Sequence, residues 1–311
     1  MAPDPVDASP SGPSVPLDLE HTIFRIAALS RPSRIPNLML VAHRVKVWVE
    51  PLMYRVVLLH DDNDEGLMLD GLPRLTYNTF LCLLTTKPPE FFASSVKHLF
   101  LGNASPSPHS LSDHMRSILD TCTGVLSLND TLRLSSAHRG LLHPLQHLRR
   151  VVMDLQFFPL HRAPGFPPLE FSQPWFAHIT HLEVTHCSPG IPGSRNLACL
   201  RRIPHLTHFA FHDREMCDTV APLLGGCLQL ECVVLMITRS LHNGDVELGG
   251  LGEDKRFFVM ESTENVVKFW RLWQRGAMGW DGYWELAEAF IAARRAGQVH
   301  GELTCNLIST S

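Results

Sequence analysis

From Ile179 to Cys187 the chain reads Ile-Thr-His-Leu-Glu-Val-Thr-His-Cys, with apolar residues at Ile179, Leu182 and Val184. The closing alternation of apolar and polar positions is that of a strand with one face in a core. The same spacing returns at Leu206, Phe209 and Phe211 and at Leu230, Val233 and Leu235. Earlier copies are Leu148, Val151 and Met153, then Val96, Leu99 and Leu101, with Met53, Val56 and Leu58 as a first. Counting middle positions, the steps are 31 residues from Val151 to Leu182, 27 to Phe209 and 24 to Val233, and Phe257 with Val259 continues the series 24 residues on. Periods in that range predict stacked units, each a strand and its return segment, that is, an α/β solenoid of parallel strands with outer helices. The step from Leu99 to Val151 is 52 residues, so that stretch holds either an undetected strand or one unit with an insertion.

Helical spacing fills several of the intervals. Leu75, Phe80, Leu81, Leu83 and Leu84 predict a helix that ends before Pro88, and Leu111, Met115, Ile118, Leu119 and Cys122 predict another. Further helices are expected over 132–142, 195–202 and 216–228, whereas the five prolines between Phe157 and Pro174 predict a loop. At the start, residues 1–14 carry Pro3, Pro5, Pro10 and Pro13 and read as a disordered tail. Pro16 then opens a helix with Leu19, Ile23 and Ile26 in one stripe. A second helix carries Leu38, Val41, Val45 and Trp48 and is expected to stop at Pro51. Near the end, Val266, Trp270 and Trp273 predict a helix, Gly276, Gly279 and Gly282 a flexible joint, and Tyr283, Trp284, Ala287, Phe290 and Ile291 a last helix stopped at Gly297. An exposed repeat end needs a lid, so residues 263–298 read as a terminal cap and 299–311 as a flexible tail.

Composition narrows the function classes. With 27 basic residues against 31 acidic and a net charge of −4, the chain has no surplus to hold a phosphate backbone, and nucleic acid is not expected as a partner. No run approaches the roughly 20 apolar residues of a membrane helix, and the first residues lack the basic start and apolar centre of a signal peptide. Eight cysteines are scattered with no Cys-x-x-Cys pair, which fits reduced thiols in the cytosol or nucleus. His181, His208 and Glu183 would lie close on neighbouring strands, but the chain has no His-Glu-x-x-His. No Gly-Lys-Ser or Gly-Lys-Thr follows Leu248-Gly249-Gly250-Leu251-Gly252, which reads as a flexible turn, and no Gly-x-Ser-x-Gly elbow occurs. The expectation is therefore no catalytic residues, no metal site and no cofactor.

Two stretches resemble known families. Val15-Pro16-Leu17-Asp18-Leu19 is similar to the Leu-Pro-x-Glu-Leu opening of the F-box family, with Ile23-Phe24 as its following apolar pair. Leu40-Val41-Ala42-His43-Arg44 resembles the family's Leu-Val-x-x-Arg, and Pro51-Leu52-Met53-Tyr54-Arg55 its Pro-x-Leu-Tyr-Arg exit; Val15 and Val45 stand where Leu and Trp are usual. The repeated spacing resembles the Leu-x-x-Leu-x-Leu of leucine-rich repeats, in a degenerate form in which only Cys187 fills the Asn or Cys position three residues on. Together they resemble a large group of mushroom-type fungal proteins. The resemblance implies an F-box-like module over 15–58 and an irregular leucine-rich-repeat solenoid over 59–262. It further implies a substrate-recognition adaptor of a cullin-type ubiquitin ligase, in which Pro16, Leu19, Ile23, Phe24, Leu40, Val41 and Trp48 bind the Skp-type linker protein. The alternative is a stand-alone repeat scaffold for protein binding whose F-box-like segment only caps the first repeat. In either case strand alternation puts His98, Phe100, Arg150, Asp154, His181, Glu183, His208, His212 and Met236 on the concave side, the expected surface for a substrate protein.

Overall fold

The computed structural model describes residues 15–60, 74–102, 108–130, 141–154, 174–185, 198–238, 248–262, 267–299 and 304–307. The expected tail over 1–14, most of the proline-rich loop and most of the helix over 132–142 lie outside them. Pro16 precedes the first helix, α1 (Leu17–Ser30), and Asp18 and Glu20 lie in its first turn, where acidic groups suit the positive end of the helix dipole. The expected second helix is two: α2 (Ile35–Met39) and α3 (His43–Met53), with Leu40 and Val41 in the corner between them. Pro51 does not stop α3, which runs on to Met53 with the proline in its last turn. Ala28, Ile35, Val45 and Val49 form the core of this three-helix module, with Phe24 and Trp48 half-buried against it. Tyr54 meets the rings of Phe91 and Phe92 edge-on, and Lys87 pairs with Glu50 at 2.7 Å, so α3 is fastened to the first units of the sheet.

From there strands alternate with helical segments: β1 (Val56–His60), β2 (Arg74–Thr76), α4 (Tyr77–Thr86), α5 (Pro89–Ser95), β3 (His98–Leu101), α6 (Pro108–Thr121), β4 (Ser127–Asp130), β5 (Arg150–Met153), β6 (His181–Val184), β7 (His208–Phe211), α7 (Cys217–Gly226), β8 (Cys232–Thr238) and β9 (Phe257–Ser262). Two helices, α8 (Val267–Ala277) and α9 (Tyr283–Arg295), and a short β10 (Thr304–Leu307) close the chain. Among the described residues all ten strands are parallel in one open sheet, ordered β10-β9-β8-β7-β6-β5-β4-β3-β1-β2. The strand β4 resolves the 52-residue step, with Leu128 pairing with both Leu99 and Val151.

The middle apolar positions form one row across the sheet: Val57, Leu99, Leu128, Val151, Leu182, Phe209, Val233 and Phe257. At β1 the expected register is one residue off, since Val57 and Leu59, not Val56 and Leu58, share the main core. A four-residue apolar run gives no alternation from which to choose. The main core lies between this row and the helices behind it, with Phe80, Phe92, Ile118, Leu119, Leu200 and Leu223 buried there. The 195–202 segment appears as a short 3-10 turn over Ala198–Arg202, and the glycine-rich stretch as another over Gly249–Glu253 that buries Leu251.

The opposite sheet face is also covered. The helices α8 and α9 form a hairpin that lies on it, burying Trp273, Tyr283, Trp284, Ala287 and Ile291 against Phe100, Val152, Val234, Met236 and Phe258. This corrects the reading of these helices as a lid on the end of the array. Burial on both faces also explains why β1, β8 and β9 are near-continuous apolar runs. The glycine joint is a tight crossing: a Cβ on Gly282 would lie 2.9 Å from Gly276 Cα and from Leu272 O, while Gly279 takes φ +84° in the turn. Arg294 fixes the far end of α9 by donating to the carbonyls of Gly252, Asp254 and Phe257. The expected flexible tail contains β10, paired with β9 from Thr304 to Leu307.

Candidate functional site

The first helices leave an apolar surface in water. Of the twelve exposed large hydrophobic side chains among the described residues, eight lie between Val15 and Val47: Val15, Leu17, Leu19, Ile23, Ile26, Leu40, Val41 and Val47. Spacing explains the α1 part. Phe24 and Ala28 point into the module, so Leu19, Ile23 and Ile26, offset around the helix, point away from it. The corner after α2 presents Leu40 at 85% exposure. Arg44 reaches back from α3 to hold Glu20 of α1 through Nη2 at 2.8 Å and through Nε, which fixes the angle between the two helices. Burial of such a surface against a partner is favourable, whereas scattered single apolar residues would need no explanation.

Of the residues expected to hold a linker, Pro16, Leu19, Ile23, Leu40 and Val41 are exposed. Phe24 and Trp48 are half-buried and support the others from within; Trp48 packs edge-on with His21 at 5.2 Å. Leu17, Ile26 and Val47 belong to the same exposed set, Ile26 as part of the α1 stripe with Leu19 and Ile23.

The sheet face expected to be open is covered by the α8–α9 hairpin. Phe100 and Met236 are 1% exposed, and His98, Asp154, Glu183 and His208 are also buried. Side chains of one register row, His98, Ser127, Arg150 and His181 on β3 to β6, line a cleft of about 350 Å³, counting its open mouth. Trp273, Tyr283, Trp284 and Glu285 line its other side. Arg150 faces Glu285 at 3.4 Å. Burial, reinforced by the Arg55, Arg150 and Lys97 charges, holds His98 down at about 3, and burial with His208 and Arg150 nearby holds His181 at about 2. Both are neutral imidazoles at pH 7. Neither ring nitrogen of His98 has a hydrogen-bond partner.

Two residues further along β6, Glu183 accepts from the hydroxyl of Tyr283 and faces His212 Nε2 at 2.8 Å. Burial pushes the Tyr283 phenol well up, with the Glu183 carboxylate adding to it, so Tyr283 remains a donor. Glu183 is thus committed to α9 and is not a third group beside His181 and His208. Burial also pushes the thiols of Cys122 and Cys232 up to about 12, which leaves them as inert core groups. Ser127, Tyr283, Trp284 and Glu285 were not expected at this face: the strand carrying Ser127 has little alternation, and nothing in the spacing of α9 tells an end lid from a face cover.

Among the described residues no helix is long and apolar enough to cross a membrane. A scan against protein-family models finds no match, and a search of curated proteins finds no relative.

Proposed function

We propose that the chain is a substrate-recognition adaptor of a cullin-type ubiquitin ligase. In this reading the three-helix module is an F-box-like docking unit for a Skp-type linker protein, and the strand-and-helix array is an irregular leucine-rich-repeat solenoid. The observation that supports it is the concentration of exposed apolar side chains on α1 and at the corner after α2. A module serving only to cap the array would turn Leu19, Ile23 and Leu40 inward, whereas here they face water. The chain's own role needs no reactive group, because holding a target beside a transferring enzyme raises its effective concentration.

With the sheet face covered, the substrate side moves outward. The candidates are the outer surface of the α8–α9 hairpin, where Trp280 and Leu286 are 37% exposed, and the rim that carries Arg150 and His212. The deciding experiment is co-purification of the full chain with a Skp-type linker, wild type against the Ile23→Ala/Leu40→Ala variant. Stoichiometric capture that the variant loses supports the proposal; no capture by the folded wild-type chain sinks it.

A further inference from the structure

His181 of β6 and His208 of β7 are register partners, and their rings stack 4.1 Å apart and 9° from parallel. In each, Nδ1 lies against the hydroxyl of the preceding threonine, Thr180 at 2.8 Å and Thr207 at 2.7 Å. The same hydroxyls also lie 3.2 Å from backbone carbonyls, Thr180 from Arg149 O and Thr207 from Thr180 O. The two threonines thus hold Nδ1 of each ring and leave Nε2 as the end turned toward other partners. Nε2 of His181 is buried and has no hydrogen-bond partner. Nε2 of His208 sits 2.9 Å from Glu288 Oε1, a contact that either a ring proton or a cation can bridge. One ring nitrogen from each histidine and a Glu288 carboxylate oxygen lie within 4.8 Å of one another.

We propose that His181, His208 and Glu288 form a Zn²⁺ site that clasps α9 to β6 and β7. Two imidazole nitrogens and a carboxylate oxygen suit this borderline ion, while hard ions such as Mg²⁺ prefer an all-oxygen set. At zinc–nitrogen distances of about 2.0–2.1 Å two tetrahedral ligating nitrogens lie about 3.3 Å apart. The rest of the surroundings fit. The threonine hydroxyls orient both rings from the second shell. Trp284 stands edge-on to both, at 5.1 and 5.5 Å, and closes one side. Arg150, the next residue in the row, is offset by Glu285. The Glu288 side chain is 53% exposed, so a water can complete the coordination from the solvent side. The site is independent of the linker-docking role.

The test is a Zn²⁺ titration of the chelator-stripped full chain in competition with a chromophoric chelator. The expected result is one Zn²⁺ per chain, retained through desalting and not displaced by Mg²⁺, with a melting temperature that rises on zinc addition. Glu288→Ala, on an exposed position, and His181→Asn should each weaken binding at least tenfold, and Thr180→Val by about 10–100-fold. His205→Asn, at an exposed histidine outside the site, should leave it unchanged. If His181→Asn fails to fold, Glu288→Ala and Thr180→Val still decide the matter. The proposal is overturned if the wild-type chain retains no zinc, or if Glu288→Ala and Thr180→Val bind zinc as tightly as wild type.

Discussion

Replacing Ile23 and Leu40 together by alanine separates docking from capping, because the two roles predict opposite changes in binding and in stability. Ile23 is 57% exposed and Leu40 85%. Full burial of such a side chain is worth about 1.5–3 kcal/mol, so a partner that covers the exposed fractions gains about 0.9–1.7 kcal/mol from Ile23 and about 1.3–2.6 kcal/mol from Leu40. The pair then contributes about 2–4 kcal/mol, a loss of roughly 30- to 700-fold in Kd when both are truncated. The same substitutions open no cavity in the free chain, whose stability should change by less than about 0.5 kcal/mol. Calorimetric titration of the purified linker protein into each chain gives the first quantity and a urea transition the second. The reasoning is refuted if Kd changes less than threefold, or if stability falls by more than about 1 kcal/mol, since the patch would then be structural.

Other expectations concern the sheet face and its cover. Trp284→Ala should destabilise the chain by about 3–5 kcal/mol in a denaturant transition, because Trp284 is buried between α9 and the sheet; a side chain in a loose end lid would cost far less. Gly282→Ala should cost about 1–3 kcal/mol by the same assay, since its Cβ meets the backbone of Gly276 and Leu272. His98 has a folded pKa lowered to about 3 against an ordinary value near 6.5, so the unfolded chain takes up the proton first. Its contribution to stability is intact above pH 6.5 and is lost as pH falls toward 3, with a slope of at most about 1.4 kcal/mol per pH unit. Urea midpoints between pH 7 and pH 4 should therefore fall less steeply for His98→Asn than for wild type, and equal slopes would count against this assignment.

The strands were readable where one face alternates. Around Leu182, Phe209 and Val233 the apolar spacing gave both the strands and their pairing, and the structure aligns all three in one row. It was not readable where both faces are apolar, as in β1, or where they are mostly polar, as in Ser127-Leu128-Asn129-Asp130 of β4. The exposed stripe on α1 was visible as Leu19, Ile23 and Ile26, but which apolar residues turn inward depends on where α3 packs, and that placed Phe24 and Trp48 inside. The covered sheet face was the largest departure. Phe100, Val234 and Met236 on the supposedly open side were the signal that it is covered, since an open strip with that much apolar surface would itself require a partner. The chain supplies that partner with α8 and α9.

That cover sets how the hairpin and the first three helices relate. Polar residues in the row from His98 to His208 survive under the hairpin because groups on α9 answer several of them: Glu285 faces Arg150, and Glu288 faces His208. The adjoining Glu183 is likewise tied to Tyr283. The position of α9 is therefore held by polar contacts as well as by Trp284 and Ile291, and its outer side, with Leu286, is held in register with the sheet. The first three helices lie at the other end, with their own core of Ala28, Ile35, Val45 and Val49. A change at Glu288 should accordingly alter what the hairpin presents while leaving the exposed stripe of α1 as it is. The proposed adaptor role would call for that separation, since a linker site and a substrate site would then be able to change independently.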